Sequence, residues 1–183
     1  VWHQTGGQVT HFVSSLGTCG TINGSGRFLK EQNADVATIG VYPTPGHDVP
    51  GVRSLSQLSQ TEFFTPDKYD GLVEVENDLA FEMCRRINQE ESLTAGPSSG
   101  MALAGALQAI PDEPGNVVVV IFCDSIFKYA SSILNNLSDL GKAPASGSKR
   151  EQLLDSMFEN ARINSDLTIN IEDAHDLWQT QKP

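Results

Sequence analysis

The sequence is poor in basic residues, in closely spaced cysteines and in long apolar runs, and each shortage removes a class of function. Twelve Lys and Arg stand against 23 Asp and Glu, a formal charge of −11. A chain of that sign repels nucleic-acid backbones and anionic lipid at long range, so neither is an expected partner and an anionic ligand must be held locally. The three cysteines, Cys19, Cys84 and Cys123, form no close pair, and His3, His11, His47 and His175 lack metal-ligand spacing. Reduced thiols and no metal are expected. The longest apolar stretch, Val117 to Cys123, spans seven residues, far short of the ~20 that cross a bilayer. No charged-then-apolar segment opens the chain, so the expectation is a cytoplasmic protein without a membrane span.

What is present describes a globular chain. Of its 183 residues, 39% are hydrophobic and 19% charged, and at roughly 150 residues per domain one full core is expected. The chain begins with Val1 rather than Met, and only a short lead precedes its first predicted strand. It reads as a piece of a longer protein.

Thr10 to Ser15 is β-rich, Gly17 to Gly26 is studded with glycine, Arg27 to Gln32 reads as helix, and Val36 to Tyr42 is an apolar strand stopped by Pro43. A strand, loop, helix, strand unit of this length implies a parallel pair with a right-handed crossover. Pro43 to Pro66 carries several prolines and no sustained period, which predicts an irregular segment with one short helix at most. Gly71 to Val75 alternates as a strand. Asn77 is the expected cap of a helix with Leu79, Ala80, Met83 and Ile87 inward and Glu82, Arg85, Arg86 and Gln89 outward.

Ala95 to Gly100 reads as a turn opening a helix of small residues, Met101 to Ile110, and Val117 to Cys123 is the continuous run of a central strand. A helix from Ile126 to Leu140 completes the core. These elements predict an α/β fold of three layers, a parallel sheet with helices on both faces, over residues 1–140. Residues 141–150 have linker composition. Residues 151–183 form a tail with a helix from Glu151 to Ala161, a strand from Leu167 to Ile171 and a final helical stretch from Glu172 to Gln179.

Gly17, Thr18, Cys19, Gly20 and Thr21 lie between a strand and a helix N-terminus, where free N–H groups and the helix dipole converge on an anion and glycines allow close approach. The residues are equally consistent with a tight βα turn. A nicotinamide fingerprint is disfavoured, because the second strand ends in Tyr42-Pro43 without an acidic residue, and a Walker A loop fails because no lysine follows the last glycine. Ser98 and Ser99 sit at another helix start, where a hydroxyl either caps the helix or reaches a ligand at the carboxyl ends of the strands. Cys19 has no histidine close in sequence to act as its base, so it reads as a small residue in a glycine-like position. Arg27 and Lys30 read as solvated. His47 and Arg53 are candidates to meet a carboxylate, or plain loop residues.

Five separated segments, GTCGTINGSGRFLKE, VATIGVYP, HDVPGVRS, NDLAFEMCRRINQEESLTAGPSSGMALAGAL and VVVVIFCDSIFKYASS, together resemble the carboxyl-terminal half of the cysteine synthase and cystathionine β-synthase family. These are the fold-type-II pyridoxal phosphate enzymes, and the likeness runs from about Val1 to Ser132. The resemblance implies a tryptophan synthase β-subunit-like fold, incomplete here, with pyridoxal 5'-phosphate as cofactor. It places the cofactor phosphate on Gly17, Thr18, Cys19, Gly20 and Thr21, and the pyridine nitrogen on Ser98. The implied reaction is replacement of the leaving group of an activated serine by sulfide, giving cysteine, by a whole protein that is a homodimer.

A cystathionine β-synthase-type condensation is the near alternative; VPGVRS favours the sulfhydrylase side. A degenerate, non-catalytic binding module is the alternative from another class, and two departures favour it. Cys19 replaces the central glycine of the family's usual GTGGT, and none of Lys30, Lys68, Lys128, Lys142, Lys149 and Lys182 falls in a segment matching the family's Schiff-base lysine. No catalytic residue is therefore assigned within this chain. Residues 168–177, TINIEDAHDL, resemble the opening of a rhodanese-like domain.

Overall fold

Phe12 and Val13 are adjacent in the first strand, point to opposite faces of the sheet, and are both fully buried. Each face must therefore be covered. Phe12 belongs to a core cluster with Leu29, Val36 and Val119, while Val13 belongs to the larger cluster that includes Met83, Ile87, Met101 and Leu103. The computed structural model describes residues 1–129 and 135–137, together with the backbone of Thr168–Asn170. Strands β1 (His11–Ser15), β2 (Ala37–Pro43), β3 (Gly71–Val75) and β4 (Val117–Val120) are parallel, and β5 (Thr168–Asn170) runs antiparallel to β4. The order across the sheet is β3-β2-β1-β4-β5.

From β1 the chain steps one way to β2 and β3, then returns past β1 to β4. With right-handed crossovers, that reversal puts helix α1 (Gly20–Gln32) on one face and helices α3 (Asn77–Glu90) and α4 (Pro97–Ala109) on the other. Helix α4 lies against all four parallel strands and α3 packs on α4. A short helix, α2 (Leu55–Leu58), is the only helix in the irregular segment between Pro43 and Pro66, as the prolines there predict. The reversal between β1 and β4 opens a crevice at their carboxyl ends, the usual ligand position of open α/β sheets.

Several boundaries differ from the sequence reading, each for a packing reason. Helix α1 starts at Gly20, so Gly24 and Gly26 are helical despite a propensity penalty of about 1 kcal/mol each. A side chain at Gly26 would put its Cβ 2.9 Å from Thr38 Cγ2; the close approach of α1 to β2 outweighs the penalty. Helix α4 likewise begins at Pro97, a residue suited to the first helical position. Glu76, not Asn77, is the N-cap of α3, and Asn77 Oδ1 instead accepts the N–H of Asp48 at 2.8 Å. Arg85 and Arg86 are buried rather than solvated, because Glu82 pairs with Arg85 and Glu90 with Arg86 along the helix.

Strand β4 ends at Val120, and beyond it the described chain forms a 3-10 turn at Ile126–Lys128. The rest of the predicted helix over 126–140, apart from 135–137, lies outside the described residues, as do the linker at 141–150 and the helices predicted over 151–161 and 172–179. No helix among the described residues is long and apolar enough to cross a membrane.

One ion pair ties α1 to the β2–β3 edge. The Asp70 carboxylate accepts the N–H and hydroxyl of Thr38 at 2.7 and 2.9 Å and pairs with Lys30 Nζ at 2.8 Å. Lys30 is thus a partner rather than a solvated charge. Burial pushes the Asp70 carboxyl up, but the bonds from Lys30 and Thr38 outweigh it and hold the group below its ordinary value. A depressed carboxyl contributes stability above its unfolded pKa, near ~3.9, and loses it as pH falls through the folded value. Asp70→Asn should therefore flatten the acid-side loss of stability below about pH 4 in urea unfolding. The difference should stay within about 1 kcal/mol, since the pair is partly solvated.

Candidate active site

After Leu16 the chain leaves β1 through Gly17 and Thr18 and enters α1 at Gly20. The turn is pinned from one side: Arg53 N–H donates to the Leu16 carbonyl at 2.9 Å. A Cβ at Gly17 would lie 2.5 Å from the Gly51 carbonyl oxygen, so the 50–53 loop rests directly on the turn. Cys19, the N-cap, has φ 63 and ψ 5 in the left-handed region and provides no side-chain cap. That is the conformation in which glycine is unstrained. Its thiol is buried among Leu16, Ile22 and Leu58, which raises its pKa; a Tyr69 hydrogen bond and the Arg53 charge pull the other way.

Cys19→Ala should therefore be less stable than Cys19→Gly by about 1 kcal/mol, since alanine retains the left-handed strain and glycine does not. Equal thermal unfolding midpoints would show that the corner is unstrained.

The first intrahelical bond of α1 runs from Asn23 N–H to the Cys19 carbonyl at 3.0 Å. The N–H groups of Gly20, Thr21 and Ile22 precede it and have no acceptor within the helix. These three residues line a cavity of about 210 Å³ together with Gly17, Thr18, Cys19 and Ser98. The six residues that the resemblance assigns to the cofactor thus face one space, at the β1/β4 reversal. Ser98 comes from the first turn of α4, so two helix N-termini open on the cavity. Among the described residues no Lys or Arg lines it, so an anion there would be held by N–H groups, hydroxyls and helix dipoles.

Ser99 is fully buried behind this wall, and its hydroxyl has no partner among the described residues. His47 and Arg53 do not line the cavity. Cys123, Asp124 and Tyr129 do, and the sequence reading did not single them out. Their signal was positional: they follow the carboxyl end of the central strand. A larger cavity of about 720 Å³ lies beside α1, lined by Arg27, Lys30, Lys68 and Phe63, and among the described residues it shares only Ile22 with the smaller cavity. It lies away from the strand reversal.

The profile of the family described as pyridoxal-phosphate dependent enzyme matches residues 1–124. The chain belongs to this family. It is 41% identical over 132 residues to cysteine synthase B of Pseudomonas aeruginosa, covering 72% of this chain and 44% of that protein. Cysteine synthase B of Salmonella typhimurium is 39% identical over the same shares of the two chains.

Among solved structures, cysteine synthase from Entamoeba histolytica superposes with a TM-score of 0.68 at 27% identity, covering 85% of this chain and 47% of that one. The O-acetylserine dependent cystathionine beta-synthase from Helicobacter pylori gives 0.62 at 31% identity, covering 71% and 45%. The chain thus spans less than half the length of these relatives, and its sheet and flanking helices are those of fold type II. The family's cofactor carries a phosphate, and the uncapped start of α1 with its glycine turn is a frame that fits one.

Proposed function

We propose that the protein carrying this chain is a cysteine synthase-like enzyme, and that this chain holds the phosphate and ring nitrogen of its cofactor. The enzyme replaces the acetyl or phosphate leaving group of an activated serine with sulfide, giving cysteine. The observation that carries this reading is the convergence of Gly17–Thr21 and Ser98 on one cavity at the strand reversal. The cysteine synthase relatives support it.

In this reading the N–H groups of Gly20, Thr21 and Ile22 and the hydroxyls of Thr18 and Thr21 bind the phosphate dianion, and the α1 dipole favours its charge. Cys19 contributes backbone and shape, its thiol being turned into the apolar cluster of Leu16, Ile22 and Leu58. Ser98 holds the ring nitrogen through a neutral hydroxyl, which orients the ring without stabilising a protonated nitrogen as a carboxylate would. When bound, pyridoxal 5'-phosphate supplies the electron withdrawal that lets the serine side chain lose its leaving group. The residues of this chain bind and orient it, with Gly51 and Cys123 forming part of the cavity wall.

The test is direct. The whole protein, loaded with pyridoxal 5'-phosphate and given O-acetylserine or O-phosphoserine with sulfide, should form cysteine; no cysteine from either substrate would end this reading. The likeness to the Helicobacter pylori enzyme favours a second reading, a condensation giving cystathionine. Homocysteine in place of sulfide separates the two.

A further inference from the structure

At the Ser98 end of the cavity the structure holds a residue that the cofactor frame has not accounted for. Asp124 follows β4 and grips Gly96, the N-cap of α4, from two sides. Its backbone carbonyl accepts the Gly96 N–H at 2.8 Å, and its carboxylate occupies the space a side chain at Gly96 would need. The same Cβ would lie 3.0 Å from Tyr129 Cε2, so Tyr129 closes the far side.

The segments are stitched further by an antiparallel bridge between Ala95 and Ser125 and by Ile126 N–H donating to the Thr94 carbonyl at 3.1 Å. Asp124 Oδ2 accepts the Tyr129 hydroxyl and lies 3.2 Å from Lys128 Nζ. Asp124 Oδ1 is buried and has no partner among the described residues. Asp124, Tyr129 and Ser98 all line the cavity.

We propose that Asp124, locked by Tyr129 against Gly96, is a positioning residue that fixes the start of α4 and so sets where the Ser98 hydroxyl points. Gly96 is two residues before Ser98, and no side chain among the described residues caps α4. The position of the first turn therefore depends on groups outside the helix, and Asp124 supplies both a backbone acceptor for the Gly96 N–H and a side chain packed against Gly96 and held there by Tyr129. The Tyr129 hydroxyl is retained as a donor over the whole working pH range. Burial, and then the bond to Asp124, push it up to about 12.

The inference rests on the proposed cofactor role of Ser98, and the experiment separates the two. Binding of pyridoxal 5'-phosphate to the whole protein is measured for Ser98→Ala, Asp124→Ala, Asp124→Asn, Tyr129→Phe and the Ser98→Ala/Asp124→Ala double variant. Inorganic phosphate serves as a second probe that reads the α1 cradle alone. Asp124→Ala is expected to weaken cofactor binding about tenfold, as Ser98→Ala does. The double variant should be no weaker than Ser98→Ala, because a residue acting through Ser98 has nothing left to act on.

Asp124→Asn, which preserves shape and an acceptor for Tyr129, should recover most of the loss. Phosphate binding should stay within about twofold throughout. Additive losses in the double variant, or wild-type binding in Asp124→Ala while Ser98→Ala is impaired, would overturn the inference. Wild-type binding in Ser98→Ala would instead overturn the role of Ser98 on which it rests. If Asp124→Ala does not fold, Tyr129→Phe and Asp124→Asn carry the comparison: Tyr129→Phe should weaken cofactor but not phosphate, and equal effects on both probes would count against the proposal.

Discussion

Gly100→Ala is expected to destabilise the fold by about 3 kcal/mol or more. For a domain of about 150–250 residues that is a fall of about 6–12 °C in melting temperature. The new Cβ would lie 2.5 Å from Cys84 N and press on the Ala80 carbonyl, both in the backbone of α3. Backbone cannot rotate away as a side-chain tip can, so α3 and α4 must separate. That separation disturbs the largest core cluster, which contains Met83, Cys84, Ile87, Met101 and Leu103.

Gly24→Ala is the matched control. It is helical and exposed, with no described atom within 4 Å of the added Cβ, and should stabilise by about 0.5–1 kcal/mol through helix propensity and reduced unfolded-state entropy. A loss of less than about 1 kcal/mol at Gly100 would mean that the two helices are not in backbone contact.

Thr18→Val and Thr21→Val should each weaken pyridoxal 5'-phosphate binding by about 10- to 150-fold, the effect of losing a hydrogen bond to a charged group worth ~1.5–3 kcal/mol. Valine preserves the shape of threonine while removing its donor, so the loss reports the bond rather than the volume. Pyridoxal, which lacks the phosphate, supplies the internal comparison in the same spectroscopic titration of the whole protein, and its affinity should be unaffected. Unchanged affinity for pyridoxal 5'-phosphate in both variants would remove Gly17–Thr21 as the phosphate site and leave the glycine-rich stretch as a tight turn.

The turn proposed here as the phosphate site was legible as a turn because its signal is local. Glycine and threonine between a strand and a helix define the backbone path and the donors within five residues, Gly17 to Thr21. The conformation at Cys19 was legible in outline for the same reason, since it stands where glycine is the unstrained choice and the structure gives it a φ of 63. The destination of its thiol was not: Leu16 and Ile22 are near in sequence, but Leu58 and Tyr69 arrive from the irregular segment and the turn after it. Asp124 was passed over because a single acidic residue after an apolar strand looks like any exposed loop charge. Its meaning depends on Gly96, brought beside it from far earlier in the chain.

By itself the sequence determined the α/β class, the parallel strands and the glycine-threonine turn, because these depend on hydrophobic period and on residue-level backbone preference. Tertiary structure alone decided where helices begin and which charges are buried. Gly20 to Gly26 are helical because α1 must approach Thr38 closely, and Arg85 and Arg86 are buried in a helix that packs on α4, their charges paired with Glu82 and Glu90. It also decided that Ser98, about eighty residues from the cradle in sequence, shares its cavity. That meeting follows from strand order: β1 and β4 become neighbours only through the reversal in the sheet, and a ligand site at their carboxyl ends exists only once they pair.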